Sequence, residues 1–147
     1  MPRIMRSMNV ISRCQSLYRA EKMGDALCGG HHSFVLAICR CPGRSQEELS
    51  KVLCLNKSTV ARAITQLEEA GLVKREANPA DKRELLVCPT EKMQAILPRV
   101  RQVTAEWNEL ISRGITEEEM AIFESVLCRM EQSARELTQG REEERGT

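Results

Sequence analysis

Apolar and polar positions alternate along most of the chain with the period of amphipathic helices. At the N-terminus, apolar residues recur at helical spacing: Ile4, Met8, Ile11 and Tyr18. This pattern predicts an amphipathic helix that ends at about Leu27. The apolar run after His31 and His32 is too continuous for an amphipathic helix, so we expect a short buried helix that stops at Pro42-Gly43.

Two short helices are predicted next, each with its own N-terminal cap. Ser45 and Glu48 have the spacing of a capping box, in which each side chain bonds the backbone N–H of the other residue. After a three-residue turn, Asn56 caps the second helix and Gly71 ends it. The inner face of this second helix is apolar and consists of Val60, Ala63, Ile64 and Leu67.

A hairpin and two long helices complete the pattern. The extended runs 72–76 and 84–88 flank a charged, turn-forming segment, which predicts a β-hairpin. Thr90 caps a helix that Pro98 is expected to kink and Gly114 to close. Thr116 and Glu119 form a second capping box, and the helix behind it carries an apolar seam of Met120, Phe123, Leu127, Met130, Ala134 and Leu137. Such a seam requires a partner helix.

These elements predict a mainly α fold with a small β-hairpin, arranged as a winged helix-turn-helix with terminal dimerisation helices. The 147 residues suit one domain, 1–147. Within it we expect a winged helix-turn-helix core at 31–89, dimerisation helices at 1–28 and 90–139, and a disordered tail at 140–147. Because the seam has no obvious partner except the first helix, we predict a homodimer joined through both termini.

Composition and charge narrow the function further. Hydrophobic residues make up 41% and charged residues 29%, an ordinary composition for a folded soluble protein. No apolar run approaches the roughly 20 residues of a membrane span, and seven cysteines without a secretory signal favour reduced thiols in the cytoplasm. Residues 51–83 contain seven basic side chains against four acidic ones, which suggests a face that meets a polyanion.

The candidate chemistry is DNA recognition. Arg62 and Gln66 are long enough to reach base edges in a major groove, and the short side chains of Ser58 and Thr59 allow the helix to approach phosphate. At the hairpin tip a basic cluster follows Asp81. The predicted DNA-binding set is Ser45, Gln46, Asn56, Lys57, Ser58, Thr59, Arg62, Gln66, Lys74, Arg75, Asp81, Lys82 and Arg83. A solvated helix face would explain the helix alone, but not a basic hairpin beside it.

Residues 45–92 resemble the MarR family of transcription regulators. The similarity lies in a Ser-x-x-Glu-Leu start at Ser45, the run Asn-Lys-Ser-Thr-Val from Asn56, Leu-Glu-x-x-Gly-Leu-Val from Leu67, and Asp-x-Arg from Asp81. The resemblance implies a homodimer with interlocked terminal helices, recognition helices in successive major grooves, and repression relieved by a small ligand or oxidant. It also implies that Arg83 enters a minor groove and that Asp81 orients its guanidinium.

Regulatory chemistry has three candidate sites. An effector pocket is predicted from Tyr18, His31, His32, Phe34, Val35 and Ile38. Cys14, in a Cys-x-x-Leu-Tyr pattern, resembles the peroxide-sensing branch of the family. A zinc site at Cys28, His31, His32, Cys39 and Cys41 is disfavoured, because Cys39 and Cys41 would point about 200° apart on one helix.

The sequence therefore predicts a sequence-specific regulator of double-stranded DNA, a homodimeric repressor released by a small-molecule effector. Its partners would be a pseudo-palindromic operator, a second copy of the chain and a possible effector, with no membrane. Two alternatives stay open, a winged-helix module that binds protein without DNA and a thiol- or metal-responsive regulator. No motif indicates a cofactor, a bound metal or a catalytic site, so an enzyme is not expected.

Overall fold

The structure is a computed structural model that describes residues 3–24, 27 and 31–145, with side chains described as far as residue 139. The chain forms two compact units, Met1–Glu109 and Leu110–Thr147. The prediction of one domain over 1–147 stays a prediction. Cys28, which belongs to the disfavoured zinc site, lies outside the described residues.

The described elements confirm the predicted fold class, mainly α with a small antiparallel sheet. In chain order they are α1 (Arg3–Met23), α2 (His32–Arg40), β1 (Arg44–Ser45), α3 (Gln46–Leu53), α4 (Lys57–Glu69), β2 (Val73–Ala77), β3 (Leu85–Pro89), α5 (Glu91–Ile111) and α6 (Glu117–Arg145). The two hairpin strands each lie one residue further along the chain than predicted.

The predicted caps fix where the helices begin. Ser45 Oγ accepts from the Glu48 N–H at 3.1 Å, and the Glu48 carboxylate accepts from the Ser45 N–H at 2.9 Å. The Asn56 side chain accepts from the Thr59 N–H at 2.7 Å and so caps α4. Thr116 and Glu119 repeat the capping box at the start of α6, with distances of 2.9 and 3.2 Å. Each box satisfies backbone donors that a helix terminus leaves free.

The sheet has three strands in the order β1-β3-β2, all antiparallel. Strand β1 was not predicted from the sequence. It consists of two residues, Arg44 and Ser45, that pair with Val87 and Leu86. Two residues are too few to show the alternation by which a strand is recognised. The strand leads directly into α3 and therefore fixes the start of that helix against the hairpin.

The core lies where α2, α4 and the sheet pack together. The inner face of α4 is buried as predicted, at Val60, Ala63, Ile64 and Leu67. The buried character of α2 is also confirmed, because Val35 and Ile38 are enclosed in the same cluster. Burying one such side chain contributes about 1.5–3 kcal/mol, so this packing supplies a firm base for the outer face of α4.

The start of α5 is fastened to the end of α4. The Met93 N–H donates to Thr90 Oγ1 at 3.3 Å, which confirms the predicted cap. The Thr90 hydroxyl lies 2.7 Å from the carbonyl oxygen of Gly71, and Lys92 Nζ donates to the Ala70 carbonyl at 2.6 Å. Gly71 has a positive φ of 74°, which explains glycine at the helix end.

Helix α6 is longer than the sequence pattern suggested. It continues to Arg145, whereas a disordered tail was expected from residue 140. The tail is rich in Glu, Gln and Arg, which are good helix formers, and one glycine costs only about 1 kcal/mol in a helix. The dimerisation segment at 90–139 and the tail at 140–147 stay predictions.

Candidate nucleic-acid interface

Helix α4 separates a buried apolar face from an exposed polar one. Lys57, Ser58, Arg62 and Gln66 are exposed, and Thr59 is half-buried. Ser58 Oγ donates to the Asn56 side chain at 2.9 Å, so Asn56 and Ser58 together form the cap of the helix. The first turn therefore offers the polar N-terminus of a helix dipole, which favours an anion.

The two long polar side chains in the middle of α4 have different surroundings. Arg62 is exposed to solvent on the outer face. Gln66 Oε1 lies 2.9 Å from Nε2 of His31, at the start of α2. Gln66 was predicted as a base-reading residue, and its amide oxygen is instead held by a histidine that was predicted to line an effector pocket.

The start of α3 contributes little free hydrogen-bonding capacity. Ser45 is only 3% exposed, and its hydroxyl and N–H both serve the capping box. Gln46 is half-buried. Glu47 lies 3.7 Å from Lys57 and 3.9 Å from Lys51. Exposed ion pairs of this kind contribute at most about 1 kcal/mol, so a phosphate could displace Glu47 from Lys57 at small cost.

The hairpin tip is ordered by hydrogen bonds within the loop. Asn78 donates its N–H to the Glu84 carbonyl at 3.0 Å and its side-chain amide to the Glu84 carboxylate at 2.8 Å. The Asp81 carboxylate accepts from the backbone N–H of Arg83 at 3.0 Å. Asp81 was expected to orient the guanidinium of Arg83, but its described contact orders the backbone beneath Arg83. Lys82 and Arg83 project into solvent from this turn.

Strand β2 presents its two basic residues on opposite faces. Lys74 is exposed and lies 3.0 Å from Glu76, and this carboxylate raises the pKa of Lys74 through a hydrogen bond and charge attraction. The same contact lowers the pKa of Glu76. Arg75 turns the other way, towards α4, where it meets Glu68 at 3.5 Å and Thr65 at 3.1 Å.

An open cleft of about 630 Å³ lies between the start of α3, the middle of α4 and the hairpin. Its walls bring together Gln46, Arg75, Asp81 and Arg83 from the predicted DNA-binding set. Glu47 and Glu84 also line it, so the cleft has mixed charge. This cleft separates the outer face of α4 from the basic hairpin tip, and both surfaces belong to the same compact unit.

The predicted effector residues lie in or beside one hydrophobic core, and the His31 ring meets the Phe34 ring edge-on with 5.8 Å between centroids. Phe34, Val35 and Ile38 are buried in the hydrophobic core. The Tyr18 ring packs on Trp107 with 5.4 Å between centroids, and its hydroxyl donates to Glu106 at 3.4 Å. The sequence pattern gave no reason to single out Trp107 or Glu106, because they are far from Tyr18 along the chain.

The two adjacent histidines differ sharply. His31 is half-buried and contacts Gln66, whereas His32 is 2% exposed. Neither ring nitrogen of His32 has a hydrogen-bond partner among the described residues. Burial lowers the pKa of His32, and the charges of Arg19 and His31 lower it further. Arg19 was not among the predicted site residues; its Nε is also buried without a partner in the described part of the chain.

The cysteines were the basis of the redox and metal alternatives. Cys14 is exposed, and burial raises the pKa of the half-buried Cys39. Within residues 3–24, 27 and 31–139, no three His, Cys, Asp or Glu side chains are grouped to hold a metal ion. Among the described residues, no helix is long and apolar enough to cross a membrane.

The fold and the charged surface define a winged helix-turn-helix transcription regulator. The sequence model of the MarR family matches residues 34–85, the segment that contains α2 to α4 and most of the hairpin. The matched family model and the fold are those of transcription regulators.

Known relatives are similar over most of their length. An uncharacterized HTH-type transcriptional regulator of Bacillus subtilis, YybA, is 28% identical over 128 residues, 86% of this chain and 85% of that protein. The crystal structure of the transcriptional regulator SlyA matches with a TM-score of 0.85 and 27% identity, over 90% of this chain and 94% of that one. A Listeria monocytogenes protein assigned to the MarR family, crystallised with a 26mer DNA, matches with a TM-score of 0.85 and 26% identity over 90% and 89%.

Proposed function

We propose that this DNA-binding transcription regulator acts as a homodimeric repressor that recognises a pseudo-palindromic operator and leaves it when a small effector binds. The observation that carries the proposal is the joint presentation of two basic surfaces by one rigid unit. Arg62 projects from the outer face of α4, and Lys82 and Arg83 project from a hairpin tip held by its own hydrogen bonds. One surface suits a major groove and the other the adjacent minor groove.

The residues of the predicted DNA-binding set have distinct proposed roles. Arg62 reads base edges, since an exposed arginine on a recognition helix can bond both acceptors of guanine. Arg83 enters the minor groove, where a narrow groove concentrates negative potential. Lys57, Lys74 and Lys82 are exposed and contact phosphates, which adds affinity without sequence preference.

The dimer is supported by exposed apolar side chains on both terminal helices. On α1, Leu17 is 72% exposed and Met5 is also open to solvent; on α6, Phe123 is 56% exposed and Ile122 is more exposed still. Large apolar side chains exposed together on one helix indicate an interaction site. We assign it to a second copy of the chain, with residues 1–28 and 90–139 as dimerisation segments around the core at 31–89.

Effector binding is supported by the buried polar groups at the junction of α1 and α2. His32 and Arg19 carry buried nitrogen atoms without partners in the described region, and such groups are costly to bury unless a ligand satisfies them. A small, partly aromatic anion suits a cationic guanidinium and an imidazole. Such a ligand releases DNA only if it binds the DNA-free arrangement more tightly.

The proposal is tested by selecting bound DNA duplexes from a random pool and mapping the protein contacts on the selected duplexes. We expect pseudo-palindromes with half-sites about one helical turn apart and two chains bound per duplex. The selected duplex should bind at least about a thousandfold more tightly than random DNA. Selection of no sequence, together with weak binding to all duplexes, would favour the protein-binding alternative.

A further inference from the structure

Arg75 lies on the inward-facing side of the hairpin. Side chains alternate along a strand, so Val73 and Arg75 share one face of β2 and Lys74 has the other. Val73 is buried, and the Arg75 side chain is only 23% exposed, against 58% for Lys74. A residue placed to meet a phosphate would be expected on the outer face, where Lys74 lies.

The guanidinium of Arg75 bridges two residues that are nearly one turn apart on α4. Nη1 lies 3.5 Å from the Glu68 carboxylate, and Nη2 donates to Thr65 Oγ1 at 3.1 Å. The Thr65 hydroxyl donates its own proton to the Ala61 carbonyl at 3.0 Å. Its lone pairs are therefore directed to accept from Arg75, so the two hydrogen bonds support each other.

This contact requires an arginine. A planar guanidinium can present two N–H groups to two different acceptors at once, whereas a lysine provides one compact charge on a flexible chain. Nε of Arg75 is buried and has no partner among the residues described. The side chain therefore lies against the recognition helix with part of its polar group withdrawn from water.

Arg75 lies where its contacts with α4 affect the position of the whole hairpin. It lies in the wall of the 630 Å³ cleft, which Arg83 also lines from the hairpin side. Residue 75 pairs with Val87 in the middle of the β2–β3 ladder, so a change of its distance from α4 would move the whole hairpin.

We propose that Arg75 is a positioning residue that sets the distance between the hairpin and α4, and that it makes no phosphate contact itself. The contacts of Arg75 with Glu68 and Thr65, here called the clamp, hold the hairpin beside α4. They allow Arg62 and Arg83 to enter neighbouring grooves together. This inference rests on the proposed function, because its effect on affinity requires a duplex that meets both surfaces.

Salt dependence separates positioning from direct contact. We expect Arg75→Met to weaken operator binding roughly tenfold when Arg83 is present. In an Arg83→Ala background, which has already lost the minor-groove contact, Arg75→Met should leave the slope of log affinity against log salt unchanged. Lys74→Met, on the outer face, should reduce that slope by about one unit. A slope reduced by about one unit by Arg75→Met in the Arg83→Ala background would show a phosphate contact and overturn the proposal. Arg75→Lys should recover only part of the loss.

A double-mutant cycle asks whether Arg75 acts through the hairpin tip. In an Arg83→Ala background, Arg75→Met should cost less than about threefold, because no minor-groove contact is left to position. Glu68→Gln should reproduce part of the Arg75→Met loss in the unmodified background. Full additivity of the Arg75 and Arg83 effects would contradict positioning and indicate a general loss of stability.

A measurement without DNA keeps this proposal distinct from the proposed function. Hydrogen exchange at the Asn78 and Glu84 amides should become faster in Arg75→Met than in the matched surface variant Arg113→Met, with the α5 amides unchanged. If no duplex binds the unmodified protein, the proposed function fails, yet faster exchange would still establish the clamp. Unchanged exchange in the hairpin would overturn it.

Discussion

The winged helix-turn-helix core at residues 31–89, here called the winged unit, and the terminal helices both have amphipathic patterns. Their apolar faces differ in how much of them is buried. Helix α4 buries its apolar face within its own chain, at Val60, Ile64 and Leu67. Helix α6 carries an apolar seam of similar spacing, and Phe123 and Leu137 on it remain exposed. An amphipathic pattern alone therefore does not show what covers the apolar face. The core around α4 forms within one chain and includes Met93, Val100 and Val103 of α5, whereas we propose that a second chain covers the seam of α6.

The largest effect should come from breaking the core under α4. Ile64→Asp places a carboxylate in a fully buried site, and an unpaired buried charge costs several kcal/mol, on the order of 3–5. We expect loss of cooperative thermal unfolding and of DNA binding. Ile64→Val serves as control and should cost only about 0.5–1.5 kcal/mol. A normally folded Ile64→Asp protein would refute the packing described for α4.

Charge on the exposed seam should break association and leave the winged unit folded. Phe123→Asp adds a carboxylate to a surface that we assign to the dimer, where its desolvation opposes assembly. In sedimentation at micromolar concentration, we expect the mass to fall from twice 16.6 kDa to that of one chain. Helical circular dichroism of the winged unit should persist. If the unmodified protein sediments as a monomer at that concentration, the proposed homodimer is wrong.

The two capping boxes offer a smaller and closely matched contrast. Ser45→Ala and Thr116→Ala each remove one cap acceptor, a change worth about 0.5–2 kcal/mol. Ser45 is buried between α3 and the sheet, whereas Thr116 is exposed, so Ser45→Ala should lower the unfolding temperature more. Equal decreases in unfolding temperature for the two variants would mean that burial against the sheet does not strengthen the cap at Ser45.

The smallest expected effect is a pH dependence from His32. Its pKa in the folded chain is lowered by burial, by Arg19 and by His31. The unfolded chain therefore takes up the proton first, near the ordinary pKa of about 6.5, so stability is complete above that pH and declines as pH falls. In thermal unfolding, His32→Phe should flatten this decline. An unchanged acid profile in His32→Phe would place the decline on other groups.

Local patterns predicted most of the fold because helix starts are set by nearby residues. The caps at Ser45, Asn56 and Thr116 form as expected from side chains within three residues. The features that were missed depend on distant partners or on length. Strand β1 is too short to have a pattern, and the contact of His31 with Gln66 spans 35 positions.

The DNA-binding set stays a prediction, and the structure adds the surroundings of its members. Sequence composition identified the basic hairpin, and the structure confirms the hairpin itself. Alternation places Lys74 and Arg75 on opposite faces of β2, but residue type alone does not show which of these two basic side chains turns towards α4. Arg75 was therefore grouped with Lys74, although their surroundings differ. Arg19 was overlooked because the burial of a helix's polar face depends on tertiary packing.

The most direct test measures binding of the selected operator by two proteins across a salt series. One is the unmodified protein, and the other is the Arg62→Ala, Arg83→Ala double variant. Loss of Arg62 should cost about 1–3 kcal/mol and relax sequence preference, and loss of Arg83 should add to that cost. The Arg113→Met variant controls for the loss of a surface charge. We expect the double variant to bind operator and random DNA almost equally; unchanged operator affinity would contradict DNA recognition by α4 and the hairpin.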